Sequence, residues 1–417
     1  MSCDNVNSGP SNPAYVAIGG TNTDAFGRLR VSQPYSLFDS QNRYAIDNQF
    51  DTVFITGGST SFLVNEASVA MINDTTSGAE VVRQTFRSML YQPGKSLLVL
   101  ATFKAAAPTA NLRQRIGYFG TQNGVYFETS GAGTTTSALK AFVLRTSIGG
   151  SVDNTTRRVE QSAWNGDKLD GTGASGLTLD LSYPQILWMD FEWLGVGNVR
   201  CGFIINGQYI VCHTYQNANF TGNSVYMTTA ILPVRYEITN TGATTTTSTL
   251  KQICSSVMSE GGLEPTSISH VALRSTALTV GTTITPLVSI KLTSNALGAV
   301  VLPQALRVLP TSADNFEIRL VKNANLSGAI YSLVTSDTNV LFDTNATAMT
   351  GGTITQINYA ASSNQGTTPL NEAGVFNWDT QLGVSISGVS DVYTVGVRTF
   401  SGSGNVVGSL TFFDLTQ

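Results

Sequence analysis

The stretch Trp188-Met189-Asp190-Phe191-Glu192-Trp193 alternates apolar and acidic residues. In an extended strand this spacing puts the Asp190 and Glu192 carboxylates on one face, about 7 Å apart. Two carboxyl groups at such a separation can divide the acid and base steps of glycoside hydrolysis. Position 188, where a hydrolase strand of the E-x-D-x-x-E kind carries its first acid, is however Trp, and a strand with a polar outer face is the simpler account. Gly94-Lys95-Ser96 ends like a phosphate-binding loop, but the first glycine that loop requires falls on Met89. The only histidines, His213 and His270, stand outside any nucleophile pattern, so His213 reads as a packed side chain and no Ser-His-Asp hydrolase is expected. Cys3, Cys201, Cys212 and Cys254 form no C-x-x-C pair, so neither a metal site nor a cofactor is expected. Ring faces that could stack on sugars come from Trp164, Trp188, Trp193, Tyr209 and Tyr215, although rings at alternate strand positions equally fill cores. Trp164, Asp190 and Glu192 are the candidate glycan contacts.

The elements that must position these residues are strands. Charged residues make up 12% of the 417, about half the roughly 25% usual in soluble domains, and Gly, Ser, Thr and Asn supply the rest of the polarity. From about 46 to 265, short apolar runs recur between turn residues, among them Leu97–Phe103, Val125–Phe127, Ala141–Leu144 and Ile186–Trp193. They are expected to form a jelly-roll-like β-sandwich. Glu80–Leu90 has a mixed period that fits helix or strand. Alternation at Val288, Ile290 and Leu292, at Phe316, Ile318 and Leu320, and at Tyr393, Val395 and Val397 predicts a second, smaller β-sandwich over 266–417. The Thr run 244–247 and the Gly-rich stretch 260–265 bracket the expected boundary. Residues 1–45, rich in Asn, Ser, Gly and Pro, read as an extended arm that gains order by lying on another surface. The fold class is therefore all-β throughout.

Asn206-Gly207 between two apolar runs predicts a hairpin with a two-residue type I′ turn. Counting back from the pair Ile205/Gln208 sets Cys201 opposite Cys212, within disulfide reach, yet two packed thiols are expected because the chain reads as cytosolic.

The net charge is −4 and the basic residues are scattered, so nucleic acid is not an expected partner. No apolar run approaches the roughly 20 residues that span a bilayer, and the first residues show neither a basic head nor an apolar stretch of a signal peptide, so no membrane partner or secretion is expected.

Asp24-Ala25-Phe26-Gly27-Arg28-Leu29-Arg30-Val31-Ser32, followed by Leu37-Phe38-Asp39-Ser40, resembles an N-terminal signature of virion structural proteins of tailed bacteriophages and some large aquatic viruses. Gln92–Ser96, Asp190–Gly197 and Leu232–Glu237 look like later blocks of the same family, and the resemblance covers roughly residues 20–275. It implies a non-enzymatic particle component, such as a capsid-decorating, neck, fibre or tail-appendage protein, assembled in the host cytoplasm. Its partners would be copies of itself and other virion proteins. In that reading Phe26, Leu29 and Val31 dock the arm by apolar burial on a neighbour, while Arg28 and Arg30 pair with its carboxylates or carbonyls; otherwise the stretch is the first strand of its own sandwich. A lectin-like receptor-binding protein that holds host surface glycan is the alternative.

Overall fold

The computed structural model describes residues 23–29, 33–131, 138–219, 225–264, 267–361 and 378–416. Among them there is no α-helix, only single 3-10 turns at Val64–Glu66, Gln161–Ala163 and Trp378–Thr380. The strands pair antiparallel in every sheet and are joined by turns and loops, as the Gly-, Thr- and Asn-punctuated sequence leads one to expect.

The first domain is a sandwich of two sheets. One runs, in spatial order, Gln208–Tyr215, Val199–Ile205, Gln185–Phe191, Leu97–Lys104, Ser248–Ser259, Ser68–Asn73, Gly58–Leu63. The facing sheet runs Arg158–Glu160, Ala138–Arg145, Gly124–Gly131, Leu112–Phe119, Val234–Asn240, Glu80–Thr85, Phe50–Ile55. Alternate residues of both sheets meet in the middle, where Phe127 and Phe203 stand edge to face at 5.2 Å and Phe142 lies 4.7 Å from the Trp164 ring. Each fully buried ring of this kind contributes about 1.5–3 kcal/mol by leaving water. The ambiguous stretch at Glu80 resolves as a strand, because Val81 and Val82 are needed in the sheet.

The second domain sets a three-stranded sheet, Ser269–Val280, Gly404–Asp414 and Val301–Pro310, against a six-stranded one. Val288, Ile290, Phe316, Ile318, Val395 and Val397, picked out by their alternation, are all in its core. The two domains are stitched by the segment after Trp378: Gln381 Nε2 donates to Ser88 O at 2.9 Å, Val384 N to Phe86 O at 2.7 Å and Ile386 N to Asp51 Oδ2 at 2.7 Å.

The chain passes from the first domain to the second between Ser259 and Ser269, inside the bracketed range, and the Thr run 244–247 is a loop of the first domain. Two expectations need correction. The sandwich begins before residue 46, for Tyr35–Gln41 pairs with Ser248–Ser259 and drives Leu37 and Phe38 into the core at 3% and 2% exposure. In the hairpin, Asn206 and Gly207 adopt the positive φ of the predicted turn (53° and 77°) and Ile205 pairs with Gln208. A bulge then intervenes: Gly202 faces Val211 and Cys201 faces His213, so Cys212 has no opposite partner. Gly202 leaves room for the close approach beside it, for a Cβ there would lie 1.8 Å from Ile210 O and 2.8 Å from Trp188 Nε1. Cys201 and Cys212 are buried free thiols, as expected.

Candidate functional site

The sequence around Asp24 folds locally into a closed turn. Asp24 Oδ1 accepts the Phe26 and Arg28 amides at 3.0 and 2.9 Å, an Asx-type turn that Gly27 completes at φ 75°. Thr23 and Leu29 then bridge antiparallel, and the Arg28 guanidinium folds back over Phe26, 5.0 Å from its ring centroid. Arg28 Nε and Nη2 grip Asp24 Oδ2 at 2.7 and 2.6 Å while Nη1 donates to Gly94 O at 2.8 Å. The turn is thereby tied to the loop Gln92–Ser96.

A second arginine completes the clamp. Asp190 is fully buried at the end of its strand, directly across from Arg200 in the ladder. Arg200 Nε donates to Asp190 Oδ1 at 2.8 Å, and its Nη2 holds both Asp190 Oδ2 and, at 2.7 Å, Thr23 O. Burial alone would lower the Arg200 pKa, but the hydrogen bond and charge of Asp190 outweigh it and the net shift is upward. Nearby, Ser96 Oγ donates to Glu260 Oε2 at 2.8 Å. Three of the four blocks that carry the family resemblance, those at Asp24, Gln92 and Asp190, therefore meet at one place. The fourth lies on the other sheet, where Arg235 and Glu237 join Arg115 and Glu128 in a cross-strand charge ladder.

Asp190 is held at both oxygens by one guanidinium. Glu192 sits beyond the strand end in the turn closed by its amide to Asn198 O at 3.0 Å; burial pushes its pKa upward. Trp164 is 2% exposed, with its indole N–H donated to Val159 O at 3.1 Å, so it is a core ring and out of a glycan's reach. Trp188 and Tyr215 are likewise buried, and Trp193 and Tyr209 half-buried. His213 is packed against Tyr215, and burial lowers its pKa to about 4.

Of the arm residues, Phe26 is half-buried against its own chain, Arg28 is bonded within its own domain, and Leu29 is 42% exposed. The described part of the signature docks on its own sandwich rather than requiring a neighbour's. Arg30 and Val31 lie outside the described residues. Sequence reasoning missed Arg200 and Glu260; Arg200 was within reach, since placing Gln185–Phe191 beside the hairpin pairs it with Asp190.

No family model and no curated relative matches the chain. Among solved structures it is similar to the CBM2 module of the evolved Dit of Lactobacillus casei BL23 phage J-1, at 6% identity and TM-score 0.36, covering 56% of this chain and 99% of that one. It is similar to the Emp47p carbohydrate recognition domain at 9% identity and TM-score 0.34, covering 54% and 97% of the two chains. A beta-1,3-glucanase from Mycobacterium marinum aligns at 13% identity and TM-score 0.34, covering 54% and 99%.

Proposed function

We propose that this chain is a non-enzymatic structural component of a virion that assembles with copies of itself and with other particle proteins through its N-terminal arm. The observation that carries the reading is the clamp: sequence blocks at Asp24, Gln92 and Asp190 converge to hold the turn 23–29 on one end of the sandwich. Holding the chain there gives everything N-terminal to Thr23 a fixed point of departure. Two arginine hydrogen bonds fasten the turn to the sandwich, Arg28 to Gly94 O and Arg200 to Thr23 O, so it resists pulling by a neighbour better than an unpinned tail. The test is the light-scattering mass of the full chain against a chain lacking residues 1–22, which leaves the clamp and the core strand Tyr35–Gln41 intact. Oligomers formed by the full chain alone support the reading; equal masses contradict it.

Recognition of host surface glycan is the second reading. It is favoured by rings left bare on the surface, Tyr44 at 81%, Tyr183 at 66% and Tyr359 at 64% exposure.

A further inference from the structure

Three hollows share walls along the seam between the two domains. One, of about 590 Å³, lies within the loop from Asp39 to Gln49. A second, of about 360 Å³, lies between Ser36–Asp39, Arg87 and Trp378. The third, also about 360 Å³, lies between Asn48, Phe86, Lys322 and Gln381. Gln49 lines all three, and Arg87 and Asp379 line the last two, so the hollows adjoin along one open groove partitioned by these side chains. Each is within the size of small-molecule sites, on the order of 300–1,000 Å³. The second domain contributes Lys322, Trp378, Asp379 and Gln381 to the two smaller hollows, and the largest is lined by residues 39–49 alone.

Its walls are held in place before any ligand arrives. Arg87, only 8% exposed, donates Nη1 to Trp378 O at 2.6 Å and Nη2 to Gln49 Oε1 at 2.7 Å. Asn42 Nδ2 donates to Ile253 O and Asn42 Oδ1 accepts the Asp47 amide, both at 3.0 Å, while Asp47 Oδ1 accepts the Gln49 amide at 2.9 Å. Trp378 is steadied by its indole N–H on Tyr35 OH at 2.9 Å. Walls already ordered lose little entropy on binding.

We propose that this groove binds an extended, neutral oligosaccharide; the inference rests on the glycan-recognition reading above and gives it a place. A sugar chain offers hydroxyls all around and apolar ring faces at intervals. The groove answers with the amides of Asn48, Gln49 and Gln381, which both donate and accept, the acceptor carboxylates of Asp39 and Asp379, and the rings of Tyr44 and Trp378. Of the three cations that line it, Lys322 Nζ lies 2.8 Å from Asp391 Oδ2 and Arg87 Nη2 3.5 Å from Asp379, while Arg43 lies over the Tyr44 ring and is balanced in number by the lining acids Asp39 and Asp47. An anionic sugar or a nucleic acid strand would find no surplus positive charge.

The test presents full-length protein to an array of neutral and anionic oligosaccharides of one to about eight sugars. The variants are Tyr44→Ala, Asp379→Ala and, as a ring control away from the seam, Phe400→Ala. Tyr44 is 81% exposed and the Asp379 side chain 76%, so both variants fold, and melting temperatures check this. Wild type and Phe400→Ala are expected to hold neutral oligomers, with each groove variant weakened about tenfold or more, equal to about 1.4 kcal/mol. Neutral-oligomer binding undiminished in both groove variants overturns the groove and leaves glycan recognition standing. Binding confined to anionic oligomers overturns the proposed ligand class. Wild type that holds no oligosaccharide overturns the glycan reading and the groove with it.

Discussion

Arg28 reaches across 66 positions of sequence to donate Nη1 to Gly94 O at 2.8 Å while its other nitrogens hold Asp24. One side chain thus closes a turn and fastens it to a distant loop. Because Arg28 is 47% exposed, the ion pair itself contributes about 1 kcal/mol or less. Arg28→Ala is expected to leave global unfolding almost unchanged while speeding amide hydrogen exchange at Phe26 and Arg28, the two amides that Asp24 Oδ1 accepts. Unchanged exchange at both would show that the turn stands without the arginine.

Asp190 and Arg200 are a different case, since the carboxylate is fully buried and the arginine side chain 13% exposed. Arg200→Ala strands a buried charge and is expected to cost about 3–5 kcal/mol in urea unfolding. Glu192→Gln, in the turn beyond the strand, is expected to stay within about 0.5 kcal/mol. The contrast measures how far Asp190 is tied into the fold and Glu192 is not.

Gly202→Ala forces a methyl to within 1.8 Å of Ile210 O. It is expected to destabilise by about 1–3 kcal/mol or more and to shift the hairpin amides after the bulge. Chemical shifts of Val211 and Cys212 matching wild type would contradict the role given to the glycine.

The two thiols beside this bulge are predicted to resist alkylation in the folded protein, because burial raises the pKa of both Cys201 and Cys212 and so withholds the thiolate. Under denaturing, non-reducing conditions both should label. A mass two protons short, with neither labelled, would reveal a disulfide instead.

His213 titrates at about 4 in the folded chain against an ordinary value near 6.5, because burial disfavours its charged form. Between those values the unfolded chain binds the proton and the folded chain does not. The histidine's contribution is therefore complete above about pH 6.5 and is lost as pH falls toward 4. His213→Phe should flatten that part of the stability curve; an equally steep decline in the variant would place the acid sensitivity elsewhere.

The sheets were legible in the sequence because alternation reports one buried face directly. Val288–Leu292, Phe316–Leu320 and Tyr393–Val397 fell together into one core for that reason. The Asn206-Gly207 turn was legible too, but not the bulge four residues back, beside Gly202's close approach to Ile210 on the opposite strand. The strand carrying Asp190 ends at Phe191, so alternation alone does not fix the direction of the Glu192 side chain. The groove at the domain seam could not be read at all. Gln49, Arg87, Lys322 and Asp379 are far apart in sequence and carry no shared motif, and the packing of two domains alone brings them together.

The most direct test of the assembly claim is incorporation into particles. Full-length chain and chain lacking residues 1–22 are supplied to assembling virions in competition, and purified particles are scored for each by mass spectrometry. The account predicts that only the full-length chain is incorporated although both have the same melting temperature. Equal incorporation of the two, or absence of the full-length chain from particles, would contradict it.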